Sequence, residues 1–137
     1  MALYSKTNNS KSGFITLLSL LIAGAVGLAI AVSLITLGID YSKSALVSEE
    51  SALSKSLTNS CAEEALEKIR ENQNYSGSSG INFGQGSCTY QVLNLGGQNR
   101  QINASGSVRN SIRKAKVLLN QVSPLIKASS WQEMADF

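Results

Sequence analysis

The chain has 137 residues, with 12 Lys and Arg against 9 Asp and Glu, two cysteines, no histidine and a formal net charge of +3. That length allows one small domain. The absence of histidine excludes Ser-His-Asp and Cys-His nucleophile pairs, imidazole zinc ligands and a histidine proton shuttle, and two cysteines cannot build a four-Cys zinc site.

Residues 1–13 carry Lys6 and Lys11 and no acid, which makes a short basic leader. Residues 14–39 then hold no charge at all over 26 positions. At ~1.5 Å per residue a helix of that length is ~39 Å long, enough to cross a hydrocarbon core of ~30 Å. The run therefore predicts a single transmembrane helix in contact with membrane lipid. The lysines ahead of it, against the mixed Asp40 and Lys43 behind it, place the N-terminus inside and the C-terminus outside the cytoplasmic membrane. A cleaved secretory signal has an apolar region of about 7–15 residues closed by a small-x-small site. This run is longer, and no Ala-x-Ala closes it. A lipoprotein needs a cysteine directly after the run, whereas the first one here is Cys61. The segment is thus expected to be retained. Gly24 and Gly27, with Ala23, Ala25, Ala29 and Ala31, make one face small, so that another helix can approach closely.

Residues 40–74 continue as an amphipathic extension, with no Pro or Gly. Ala45, Leu46, Ala52, Leu53, Leu57, Cys61, Ala62, Ala65, Leu66 and Ile69 recur at spacings of three, four and seven, which is one apolar stripe. Glu64 and Lys68 form an i,i+4 pair. The Asn-, Ser- and Gly-rich stretch 72–80 is expected to stop the helix. Nothing between Phe14 and Asn72 demands a break, although Gly38 is a soft point, so one helix of ~85 Å is predicted.

Residues 75–137 read as a small extracytoplasmic β-sheet domain. Residues 87–94 predict a strand, Gly96-Gly97 a turn, and 100–106 a second strand. Residues 108–122 predict a third, longer strand. Helix competes there, because Ile112, Ala115, Leu118, Leu119 and Val122 also fit a 3.6 period. Pro124 marks a break, and the tail brings Trp131 and Phe137 to dock on the sheet. The fold class expected is α+β: a long N-terminal hydrophobic and amphipathic helix packed on a small antiparallel sheet. Cys61 lies on the helix stripe and Cys88 on the first strand. Outside the cytoplasm a disulfide persists, and one here would close a ~28-residue loop worth ~3–4 kcal/mol by chain entropy. Two buried free thiols are the competing reading.

The short basic leader, the Lys11-Ser12-Gly13-Phe14 junction and the long uncharged helix start resemble a type IV pilin precursor or pilin-like protein. The helix extension and a small sheet tied by one disulfide complete the likeness in architecture. Its specific sequence signal is confined to residues 11–39. The resemblance implies that a prepilin peptidase cuts between Gly13 and Phe14 on the cytoplasmic side and methylates the new Phe14 amine. It also implies an assembly helix that includes Phe14, Leu18, Gly24 and Gly27, with Gly27 where pilin helices often loosen in filaments. One departure stands out. Family members usually carry a glutamate four residues after the phenylalanine, where this chain has Leu18. An apolar residue there is known among minor pilin-like proteins. An uncompensated amine in an apolar core costs several kcal/mol and needs another acceptor, such as a carbonyl or the Thr16 hydroxyl.

Two functions follow. One is a structural subunit, stored in the membrane and then packed through its helix with like subunits into a pilus or pseudopilus filament at the cell surface. The other is a bitopic membrane protein that presents a small outer binding or sensing domain. An enzyme is not expected, nor a cofactor or metal. Glu63, Glu64, Glu67 and Glu71 lie at helix spacing among Lys68 and Arg70, the pattern of a solvated face. The six dispersed bases after residue 75 define no specific nucleic-acid site.

Overall fold

The computed structural model describes residues 9–137, with side chains described from Gly13 onward. The leader prediction, with Lys6 and the Lys11 side chain, falls largely outside the described residues. The chain is one long N-terminal helix, α1 (Asn9–Glu71), packed on a five-stranded antiparallel sheet, as the α+β expectation had it. The helix is already formed at Asn9, ahead of the predicted start at Phe14. It divides between two compact units, the first ending at Ser44 and the second spanning Ala45–Phe137.

Local chemistry explains where α1 stops. Lys68 and Arg70 occupy the last turn, where cations oppose the negative end of the helix dipole. Asn72 then folds the chain away: its side-chain oxygen accepts from the Asn74 amide at 3.0 Å and its carbonyl from the Tyr75 amide at 2.9 Å.

The sheet is a simple meander of β1 (Gly77–Asn82), β2 (Ser87–Gly96), β3 (Asn99–Val108), β4 (Ser111–Gln121) and β5 (Lys127–Met134), each hydrogen-bonded to the next. Strict alternation puts one face of it on the helix. Cys88, Tyr90 and Val92 of β2, Ile102 and Ala104 of β3, and Ala115, Val117 and Leu119 of β4 are buried against Cys61, Ala62, Ala65 and Ile69 of α1. Register stacks these side chains in rows, Tyr90–Ala104–Ala115 and Val92–Ile102–Val117. The β2–β3 hairpin turns at Gly96 and Gly97, both at positive φ, as the sequence predicted.

Four details differ from the sequence reading. The stretch around 77–82, expected as a helix stop and loop, is strand β1, held by pairing such as Ile81 with Cys88. The segment 108–122 is extended, but Val108 ends β3 and a turn with Arg109 at φ 50° precedes β4. The period of two won over 3.6 there because Ala115, Val117 and Leu119 must all face α1. The tail is strand β5, in which Trp131 pairs with Val117 and remains 43 % exposed. Phe137 does dock, with the Lys114 ammonium 5.2 Å from its ring centre. Finally, the N-terminal half of the helix stripe is not apolar where it meets the sheet. Ser54 and Thr58 are buried, while Leu46 and Leu53 are 49 % and 41 % exposed.

Strand β5 is fastened to α1 by Lys55 and Glu133 at 2.8 Å. The hydrogen bond from Lys55 holds the Glu133 carboxyl below its ordinary value of 4.5, and that from Lys114 does the same for Asp136. A depressed carboxylate pKa contributes stability above the unfolded value, and this is lost as pH falls through the folded one. Protection of the β5 amides, taken relative to their intrinsic exchange rate at each pH, is therefore expected to fall as pH drops below about 4.5. Lys55→Gln should flatten that acid response without changing exchange in β3. An unchanged acid response in the variant would show that the pair does not hold the strand.

Candidate functional site

Two features stand out: an apolar helix segment in the first unit and a stapled helix–sheet contact in the second.

Within the first unit, every residue from Gly13 to Ser44 is exposed. Phe14 is 67 % exposed and Leu18 50 %. Around Gly13, Gly24 and Gly27 a side-chain carbon would meet nothing within 4 Å. The processing junction and the assembly residues expected from the sequence thus all lie on an uncovered helix surface. The segment is long and apolar enough to cross a membrane. Its few polar side chains are suited to that solvent, a feature that composition alone did not reveal. Thr16 donates to the Gly13 carbonyl at 3.2 Å and Ser19 to Thr16 at 2.9 Å. Ser33 donates to Ala29 at 2.8 Å and Thr36 to Ser33 at 2.9 Å. Each hydroxyl proton is spent on the helix itself, so none is left bare in hydrocarbon.

In the second unit, Cys61 and Cys88 are joined as a disulfide, with Cα atoms 6.0 Å apart. Both are buried, which makes the bridge a structural tie rather than a reactive pair. It lies beside the closest approach of helix and sheet. Cys88 pairs with Gly106 across the β2–β3 ladder. Thr58 Oγ1 sits 2.8 Å from the Ser54 carbonyl and 2.9 Å from the Arg113 carbonyl, so its one proton is shared between α1 and β4. Ser54 and Ser111 hydroxyls meet at 3.0 Å. The periodicity argument missed this polar seam because it scores apolar residues only. The signal that could have found it was the run of Ser and Thr at positions 51, 54 and 58, on the same helix face as Cys61.

Reducing the disulfide, or replacing Cys61 and Cys88 together with Ser, is expected to lower the stability of the second unit by ~3 kcal/mol. The insertion of residues 14–39 into vesicles should not change. Coincident melting of oxidised and reduced protein would remove the staple.

The helix carboxylates form surface pairs. Glu67 lies 2.6 Å from Arg70, and Lys68 lies 3.3 Å from Glu71 and 3.9 Å from Glu64. Among the described residues no group of His, Cys, Asp and Glu is placed to hold a metal ion. A shallow recess of about 480 Å³ on the sheet is lined by Ser78, Thr89, Tyr90, Gln91, Asn103 and Phe137 among others, with no acidic or basic side chain in its lining.

No protein-family model matches the chain, and no curated protein or solved structure matches it either. Functional inference therefore rests on the geometry just described and on the sequence junction at Gly13.

Proposed function

We propose that this chain is a structural, pilin-like subunit. It is inserted in the membrane through residues 14–39, cut between Gly13 and Phe14 by a prepilin peptidase, and then packed through the same helix against like subunits in a pilus or pseudopilus filament. The observation that carries the reading is the uncovered, uncharged surface from Phe14 to Ile39. Each large aliphatic side chain left in water costs about 1.5–3 kcal/mol relative to burial. Such a segment is never bare: lipid covers it, or neighbouring helices do. One apolar surface that suits both covers is what a reversible anchor needs. On this reading no residue is catalytic. The second unit, stiffened by Cys61–Cys88, faces outward.

One observation favours the alternative, a bitopic protein with an outer binding or sensing domain. Leu18 leaves the amine that cleavage would create at Phe14 without the family's carboxylate four residues on. Intact mass and N-terminal sequencing of protein from native cells decide between the two. A chain beginning at Phe14 and heavier by one methyl group supports the pilin-like reading. A chain that retains residues 1–13 overturns it and leaves the bitopic one.

A further inference from the structure

Beyond the apolar run the chain carries two Asn-x-Ser triplets, Asn74-Tyr75-Ser76 and Asn103-Ala104-Ser105. This is the acceptor pattern for N-linked glycans in surface segments outside the cytoplasm. A pattern so short also arises by chance, so it carries weight only where the fold presents it to an enzyme. The two triplets are presented in opposite ways.

Asn74 lies in the turn between α1 and β1 and is exposed. Its backbone amide donates to the Asn72 side chain at 3.0 Å, which fixes the turn. Tyr75 is half-buried against the core and anchors the middle of the triplet. Asn74 and Ser76, on either side of that anchor, are both exposed. Among the described residues no hydrogen bond engages the Asn74 carboxamide or the Ser76 hydroxyl. The triplet ends before the first ladder pair of β1, Gly77 with Val92. A transferase can therefore grip all three residues without opening the sheet. Asn103 lies instead in the middle of β3, the central strand. Its triplet is paired on both sides, Asn103 with Gln91 and Lys116, and Ser105 with Thr89 and Lys114. Asn103 Oδ1 also accepts from Gln101 Nε2 at 2.9 Å. Presenting this site would break two ladders at once.

The chemistry needs that grip. A carboxamide nitrogen is a poor nucleophile, because its lone pair is delocalised onto the oxygen. The enzyme must enclose the side chain and hold the hydroxyl two residues on. We infer that Asn74 is the acceptor of an N-linked oligosaccharide, added outside the cytoplasmic membrane to the folded second unit, and that Asn103 is left bare. The donor class is an oligosaccharide carried on a polyprenyl pyrophosphate. Asn74 Nδ2 bonds to the anomeric carbon, and the bond from that carbon to the phosphate oxygen breaks. The lipid pyrophosphate leaves with the electron pair, one Nδ2 proton passes to a base of the transferase, and nothing is oxidised or reduced. The inference rests on the membrane-inserted reading of residues 14–39, which puts the second unit outside.

The full chain from native cells tests this, after membrane fractionation, reduction and trypsin digestion. The two triplets fall on separate peptides, residues 71–100 and 101–109. The expected result is a 71–100 peptide heavier by whole sugar residues in most copies, with fragmentation placing them on Asn74, and a 101–109 peptide at its bare mass. A bare 71–100 peptide overturns the inference, as does sugar on a serine or on both peptides. Ser76→Ala expressed in the same cells should return the 71–100 peptide to its bare mass with an unchanged melting temperature. Sugar that persists in this variant also overturns the assignment. Recovery of the chain in the soluble cytoplasmic fraction removes the membrane reading and this inference with it. The cut at Gly13 is read separately, from whether the first peptide begins at Ser12 or at Phe14.

Discussion

Gly106→Ala is expected to destabilise the second unit by ~3 kcal/mol, the upper range for forcing extra volume into a packed interior. A carbon added at Gly106 would lie 2.5 Å from Thr58 Oγ1 and 2.7 Å from the Thr58 amide nitrogen, and in contact with the Ser54 carbonyl oxygen. Two of these three atoms are helix backbone, so no rotamer change relieves the clash. The helix must move off β3, or β3 must bend away from its partners. Either motion disturbs the shared Thr58 proton and the Ser54–Ser111 contact. It also strains the immediate surroundings of Cys88, the partner of Gly106 in the ladder. Denaturant unfolding of the oxidised protein, followed by the single tryptophan Trp131, measures the loss. Adding Thr58→Ala to the variant removes only the side-chain part of the clash and should restore less than half of it. A Gly106→Ala protein as stable as the parent would mean that helix and sheet lie farther apart than described.

Arg100→Ala should cost ~3 kcal/mol or more, for a different reason. Arg100 is 2 % exposed on the helix-facing side of β3, and it has no carboxylate among its partners. Its two Nη1 protons are shared among Asn94 Oδ1 at 3.0 Å, the Gly97 carbonyl at 2.9 Å and the Asn99 carbonyl at 2.8 Å. Its Nη2 reaches the Gln73 carbonyl at 2.8 Å, just beyond the end of α1. Only Nε lacks a partner. Oriented neutral oxygens therefore hold this buried cation, and it ties the helix exit to the β2–β3 hairpin. Truncation removes four hydrogen bonds made by an ionised group and leaves a cavity where the buried side chain lay. Arg100→Lys should recover little, because a single ammonium cannot span both the hairpin and Gln73 as the planar fork does. Hydrogen exchange at Asn99 and in the last turn of α1 should rise together in both variants. A rise in the hairpin alone would show that the tie to Gln73 contributes nothing.

How much of this was legible beforehand differs by element. The helix was plain, because 26 uncharged residues and a Pro- and Gly-free extension leave the backbone no better option. β2, the Gly96-Gly97 turn and the body of β3 were equally plain, since period-two alternation and turn chemistry are local signals. β1 was hidden, because Gly77-Ser-Ser-Gly80 has the composition of a loop and becomes a strand only by pairing with β2. β5 was hidden for the same reason. Its residues show no buried–exposed alternation, and their conformation is set by the β4 edge.

Sequence by itself determined the helix from the apolar run to the stop near Asn72, the α+β class, the membrane-capable segment and the positions of both cysteines. Those properties depend on composition and periodicity, which act over neighbouring residues. Only the tertiary structure decided that Cys61 and Cys88 are bonded, that Gly106 must remain small, and that the buried helix face runs through Ser54 and Thr58. It alone decided, too, that Arg100 is enclosed. Each of these joins residues far apart in the chain. Close packing of a helix on a sheet depends on which atoms meet across the gap, and no local pattern encodes that distance.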